Sequence, residues 1–299
     1  MRILFAINKT TESKHLLKRS LPFLSNHTVK TAGYYGYCDK VDININAFVN
    51  PNSFLFFDKL SNYYNEVKRF NPELIITDCE PVTSFLATYF TCPVYQIINK
   101  FFHYAITTEY QRKAKLKKHV SSIYRSGYPE ILKNADRVFV YSHFGDLGLQ
   151  LKDNVTWIRP YFKLGKTSKV CAHDHVVLVY DYRKILSNIK SNDLVIYYDK
   201  NFTMNHKSYD SEDYYHNIKN AKYIITESCS HLLADCYYNG KYPHICMDIS
   251  DMSSISNTYL SDYYYTGKRI YIKDKLNLSD LELPEVFIEK DIKYLHEYL

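Results

Sequence analysis

The sequence predicts an α/β protein of two Rossmann-like domains whose parallel sheets face each other across a cleft. Three observations carry that expectation. Short continuous apolar runs rich in β-branched residues read as buried strands. Helix-like segments alternate with them, the pattern of parallel sheets covered on both faces. The alternation then restarts, so the 299 residues divide into domains at 1–158 and 159–299.

In order, residues 3–7 read as the first strand and residues 13–24 as a helix, with Leu16, Leu17 and Leu21 recurring on one face. A second helical stretch runs out at Phe70, and Pro72 closes it. Residues 74–77 form the next strand, and Pro81 suits the first turn of a helix continuing over 82–90. Residues 94–98 and 137–141 are further strands, and residues 157–160 lead out of the first domain. In the second half, strands are expected at 176–180, 194–198, 223–226 and 244–247, with a helix over 230–238.

Apolar residues make up 46% and charged residues 23%, which excludes a mainly disordered chain. Lys and Arg total 38 against 32 Asp and Glu, and the net charge of +6 permits an anionic partner without demanding one. No run approaches the ~18 uninterrupted apolar residues of a membrane helix. The opening residues are too short and polar-interrupted for a signal peptide, so a cytoplasmic protein is expected. The 7 cysteines are scattered, with no Cys-x-x-Cys and no zinc spacing, and read as reduced thiols with no metal site. Tyr numbers 31 and Gly only 8, a bias that AT-rich codons yield and that suggests a low-GC bacterium or its virus.

Ligands of such sheets bind beyond the carboxyl ends of the strands. His15 follows the first strand, near a helix start, where a neutral imidazole could take a proton from an attacking hydroxyl. Asp78 and Glu80 stand at a strand-to-helix turn and could accept sugar hydroxyls or act as bases; N-capping by Asp78 is the alternative. In the second half, Thr226, Ser228, Cys229 and Ser230 follow a strand and open a helix, a turn whose N–H groups could cradle a diphosphate. Asp235, further along that helix, could accept both ribose hydroxyls of a nucleotide. Arg112, Lys113, Lys115, Lys117 and Lys118 place five positive charges in seven residues, either a solvated helix face or a grip on phosphates.

Together these segments resemble the two-domain GT-B glycosyltransferases, particularly the MurG-like branch, also described as glycosyltransferase family 28-like. Residues 1–5 through His15 and Lys18 are similar to the family's opening strand, its loop ending in Gly-His, and the following Arg. Asp78-Cys79-Glu80-Pro81 looks like the Asp-Phe-Glu-Pro turn of one subgroup. Ile225-Thr226 through Asp235, then Gly240, Lys241 and Pro243, is similar to the donor motif, and Asn257, Leu260 and Gly267 fit the helix downstream. The chain departs from the pattern where Thr10, Thr11 and Ser13 replace glycines, Ser228-Cys229-Ser230 replaces a Gly-containing turn, and Ser253-Ser254 replaces Glu-Gln.

The resemblance implies an inverting, metal-independent transfer from a nucleotide-diphosphate sugar, UDP-linked by analogy, as co-substrate and with no cofactor. It makes His15 the base, with Glu80 or Asp78 as rival or orienting partner, and puts the diphosphate on Thr226, Ser228, Cys229 and Ser230 and the ribose on Asp235. Lys18 and the basic run 112–118 would hold acceptor phosphates. The expected acceptor is a hydroxymethylated pyrimidine in duplex phage DNA. A lipid-linked or cell-surface glycan, or a non-catalytic sugar-nucleotide or DNA-binding role, is the alternative.

Overall fold

The computed structural model describes residues 1–8, 11–33, 41–44, 55–98, 134–141, 151–159, 161, 176–180, 194–197, 212–221, 223–227, 230–241, 243–247, 269–271 and 294–299. The chain forms two compact units. The first takes in Met1–Tyr141, Gly148–Ile158 and Lys293–Leu299; the second takes in Ser142–Leu147 and Arg159–Ile292. Lys293–Leu299 return to the first unit, so the units are not the simple halves 1–158 and 159–299. No helix among the described residues is long and apolar enough to cross a membrane.

The first unit is built on strands β1 (Arg2–Ile7), β2 (Thr28–Gly33), β3 (Ile43–Asn44), β4 (Leu74–Asp78), β5 (Val94–Ile97), β6 (Arg137–Tyr141) and β7 (Val155–Ile158). They make one seven-stranded sheet in the order β3-β2-β1-β4-β5-β6-β7, and every pairing is parallel. Ile3, Leu4, Phe5 and Ala6 are wholly buried, as expected of a strand covered on both faces. Helices α1 (Thr11–Ser20), α2 (Leu55–Phe70) and α3 (Pro81–Leu86) connect the strands. Tyr63 and Val67 of α2 pack with Leu4, Ala6, Ile75 and Leu86 in one core. At the end of α2, Asn71 adopts a left-handed backbone (φ 52°), and its N–H reaches back to Val67 O at 3.0 Å. Its carbonyl accepts from Arg2 Nε at 2.7 Å.

The helix expected over 13–24 stops at Ser20, and Leu21–Leu24 continue as a tighter 3-10 turn containing Pro22. Proline brings no N–H to the α-helical ladder, and the Ser20 hydroxyl bonds the carbonyls of Leu16 and Leu17 at 2.8 and 3.1 Å. The helix expected over 82–90 likewise tightens after Leu86, with Ala87–Tyr89 in a 3-10 turn.

The second unit carries β8 (Val176–Tyr180), β9 (Leu194–Tyr197), β10 (Tyr223–Glu227), β11 (His244–Met247) and β12 (Arg269–Tyr271). Its parallel sheet has the order β12-β11-β10-β8-β9. Helices α4 (Glu212–Asn220) and α5 (Ser230–Tyr238) lie before and after β10. Lys241 ties the exit of α5 to that of α4, its Nζ donating to Ala221 O at 2.8 Å. Helix α5 ends at Gly240, whose φ of 72° lies in the left-handed region. Gly240 N–H donates to Tyr237 O and Lys241 N–H to Cys236 O, both at 2.9 Å, the paired closure in which glycine avoids the Cβ penalty.

A Cβ at Gly240 would meet nothing within 4 Å. Gly240→Ala should therefore lose only the backbone preference, about 1 kcal/mol, as a shift of the urea midpoint at unchanged slope.

Candidate functional site

Each sheet has one place where the strand order reverses. In the first unit it is the seam between β1 and β4, since β2 and β3 lie to one side and β5 to β7 to the other. In the second it falls between β8 and β10. The loops leaving such neighbouring strands depart to opposite sides and open a crevice at the carboxyl ends.

At the first seam, Ile7 is in register with Asp78. Asn8, directly after β1, donates from Nδ2 to Cys79 O at 2.9 Å. Ser13, in the first turn of α1, donates from Oγ to Asp78 Oδ2 at 2.5 Å. The β1–α1 loop is thus laced to the β4–α3 turn by two bonds. Asp78 and His15 are each only 7% exposed. Cys79, between Asp78 and Glu80, takes a left-handed backbone (φ 50°), and its N–H donates to Ile97 O at 3.1 Å.

Glu80 caps α3. Its Oε1 accepts from the Val82 N–H at 3.0 Å and its Oε2 from the Thr83 N–H at 2.6 Å. The capping role weighed for Asp78 therefore belongs to Glu80, while Asp78 turns to α1. Burial pushes the Glu80 carboxyl above its ordinary range, and hydrogen bonds from Thr83 and Val82 pull back against it. Beneath this turn lies a polar layer. The Thr77 hydroxyl donates to Gln96 Oε1, Ser84 Oγ lies 3.0 Å from the same oxygen, and Ser84 also bonds Glu80 O at 2.6 Å.

Helix α1 brings a residue that the sequence reading passed over. Lys18, expected to bind phosphate, is exposed, whereas Arg19 is 7% exposed. Arg19 stands four residues after His15 and so on the same helical face, a spacing that could have pointed to it. Asn8 and Ser13 were likewise unassigned.

At the second seam, Thr226 is buried on β10 and Ser230 opens α5. Ser228 and Cys229, the side chain of Ser230, and the basic run Arg112, Lys113, Lys115, Lys117 and Lys118 lie outside the described residues. Asp235 is wholly buried. The Tyr214 hydroxyl of α4 approaches its Oδ2 at 3.5 Å, and Asn239 Nδ2 donates to its carbonyl at 2.7 Å. Burial and the nearby Asp235 charge hold the Cys236 thiol well above its usual range. Among the described residues, no group of three or more His, Cys, Asp or Glu is placed to hold a metal ion.

Known structures share this architecture. The calicheamicin glycosyltransferase CalG4 matches with a TM-score of 0.59 and 12% identity over 92% of this chain and 86% of its own. The spinosyn forosaminyltransferase SpnP matches at 0.57 and 11%, over 92% and 87%. Acinetobacter baumannii MurG matches at 0.56 and 6%, over 92% and 87%. The fold is thus that of the GT-B glycosyltransferases, two parallel α/β units in one chain. No curated protein matches the sequence. Residues 55–266 match the model of glycosyl transferase family 1, and the chain belongs to that family. It is a glycosyltransferase that uses a nucleotide-diphosphate sugar as co-substrate.

The buried Glu80 gives a pH test. Its folded-state value lies above the ordinary 4.5, so in the window between them the native state keeps a proton that the unfolded chain has lost. Stability from this group is full below that window and falls as pH rises through it. Glu80→Gln cannot titrate, so its Tm relative to wild type should climb as the pH rises above the ordinary 4.5. A difference that stays flat removes the buried, titrating carboxyl.

Proposed function

We propose that the enzyme transfers a sugar from a UDP-linked donor to a hydroxyl acceptor with inversion at the anomeric carbon. The observation that carries this reading is the lacing of the β1–α1 loop to the β4–α3 turn, which joins the elements bearing His15 and Asp78 at a strand-order reversal. His15 takes the proton of the acceptor hydroxyl. The acceptor oxygen bonds to the anomeric carbon on the face opposite the diphosphate, and the old carbon–oxygen bond breaks with its electron pair on the departing nucleotide. Asp78 orients the imidazole and stabilises its protonated form. Glu80 is reserved for capping, since both its oxygens hold backbone N–H groups.

The donor is assigned to the second unit. Thr226, Ser228, Cys229 and Ser230 lead into the N-terminus of the nine-residue α5, where backbone N–H groups and the helix dipole favour phosphate. Asp235 takes the ribose hydroxyls, a role that requires its carboxylate to be shared with or released by Tyr214. A UDP complex of a matched fold, S. aureus MnaA (TM-score 0.53, 12% identity), makes UDP the first nucleotide to test. His15→Ala and Asp235→Ala should each lower kcat/KM by at least ~10²-fold in a nucleotide-release assay. Near-wild-type rates in both, with melting unchanged, remove these assignments.

For the acceptor we propose a hydroxymethylated pyrimidine in duplex DNA, supported by the net charge of +6 and the basic run at Arg112, Lys113, Lys115, Lys117 and Lys118. Incubation with UDP-sugars and duplex containing hydroxymethylcytosine should give a sugar adduct of the modified nucleoside by mass spectrometry. Glycosylated lipid or glycan in parallel reactions, with unmodified DNA, replaces this acceptor by the lipid or glycan one.

A further inference from the structure

Away from the seam, the first unit has a hollow of about 510 Å³, within the ~300–1,000 Å³ of small-molecule sites. Among the described residues it is lined by Lys30 of β2 and by Asn62, Asn65, Glu66, Arg69 and Phe70 of α2. Positions 62, 65, 66 and 69 recur at helical spacing and so share one side of α2, while Tyr63 and Val67 carry its buried side. Lys30 leans over the Phe70 ring, its Nζ 5.8 Å from the ring centre, which holds the ammonium at the wall. Lys30 is level with Leu4, and Leu4 with Ile75, whereas the seam residues Ile7 and Asp78 lie three residues further on. At ~3.3 Å per residue the hollow is about 10 Å nearer the amino ends of the strands. It is thus separate from the crevice at their carboxyl ends.

Two cations and one carboxylate line the hollow, so one negative charge on a ligand would balance it. Among the described residues, Glu66 and Arg69 close no ion pair, and the side chains of Lys30, Asn62 and Asn65 have no hydrogen-bond partner. Their donors and acceptors are open to a ligand. A guanidinium forks onto carboxylate or phosphate oxygens. Amides donate and accept, and a carboxylate accepts, which together match sugar hydroxyls. A strand of nucleic acid suits the hollow poorly, because Glu66 would face its phosphates.

We propose that this hollow is a second saccharide site, for a sugar bearing one anionic group, either a phosphate or a carboxylate. Arg69 and Lys30 hold the anionic group, and Asn62, Asn65 and Glu66 hold the hydroxyls. The site is independent of the donor and acceptor that the enzyme joins.

Titration calorimetry of the full chain tests this with a glucose phosphate monoester, glucuronate, glucose and inorganic phosphate as probes. One or both acidic sugars should bind with Kd near ~1 mM, and roughly tenfold tighter than glucose or inorganic phosphate; which of them binds tells phosphate from carboxylate. Arg69→Gln and Lys30→Gln should each weaken that binding about fivefold or more, with kcat unchanged because neither residue lies in the crevice. Glu66→Ala should narrow the gap between acidic sugar and inorganic phosphate, since it removes a hydroxyl acceptor and a repulsion together. Glucose or inorganic phosphate binding as tightly as the acidic sugars overturns the proposal. So does the absence of binding by both acidic sugars at about 10 mM, or binding that Arg69→Gln and Lys30→Gln leave intact, or a gap that Glu66→Ala leaves as wide.

Discussion

The parallel pairing of β1 with β4 is the constraint on which the first unit's chemistry depends. These strands stay side by side because their residues are apolar and covered on both faces, from Ile3 to Ile7 and from Leu74 to Ile76. Their register stops Ile7 level with Asp78. The chain then leaves the two strands toward opposite flanks of the sheet. Backbone groups just past the strand ends lose their sheet partners and need others. Asn8 meets that need for the Cys79 carbonyl, the Cys79 N–H finds Ile97, and Ser13 of α1 adds a bond to the Asp78 carboxylate.

Beneath this seam the core is polar. Thr77, Ser84 and Gln96 share hydrogen bonds among β4, α3 and β5, and Tyr63 of α2 meets the Thr83 hydroxyl at 2.5 Å. Buried polar groups are costly unless partnered, and a network spanning four elements holds the Glu80 turn in a single geometry. The second unit braces its acidic residue in a similar manner: Asp235 is met by Tyr214 from α4 and supports Asn239 at the end of its own helix.

The central strands were legible because each is a short unbroken apolar run, and both residues 137–141 and 244–247 fall where that signal placed them. Strand β2 was not, since Thr28, Lys30 and Thr31 interrupt its apolar pattern. Helix α4 was missed for a related reason: Tyr214, Tyr215 and Ile218 are its buried residues, and tyrosine is frequent throughout the chain. At the site, residue type could nominate His15 and Asp78 but not the bond from Ser13, which joins residues 65 apart in sequence. The choice between Asp78 and Glu80 as cap turned on one backbone angle at Cys79, invisible to any pattern of polarity. Arg19 and Lys18 have similar charge, and only the rotation of α1 decides which of them is buried.

The closing 3-10 turn, Leu295–Tyr298, belongs to the first unit. Leu295 is wholly buried, His296 stacks on Phe23 with ring centres 4.7 Å apart, and Tyr298 lies against Phe139 and Arg137. During synthesis the amino-terminal sheet therefore waits, with a bare apolar spot beside Phe23 and Phe139, until residues 295–298 have left the ribosome. A nonsense codon shortly before residue 293 would spare every described strand and helix of the second unit yet injure the unit that was translated first.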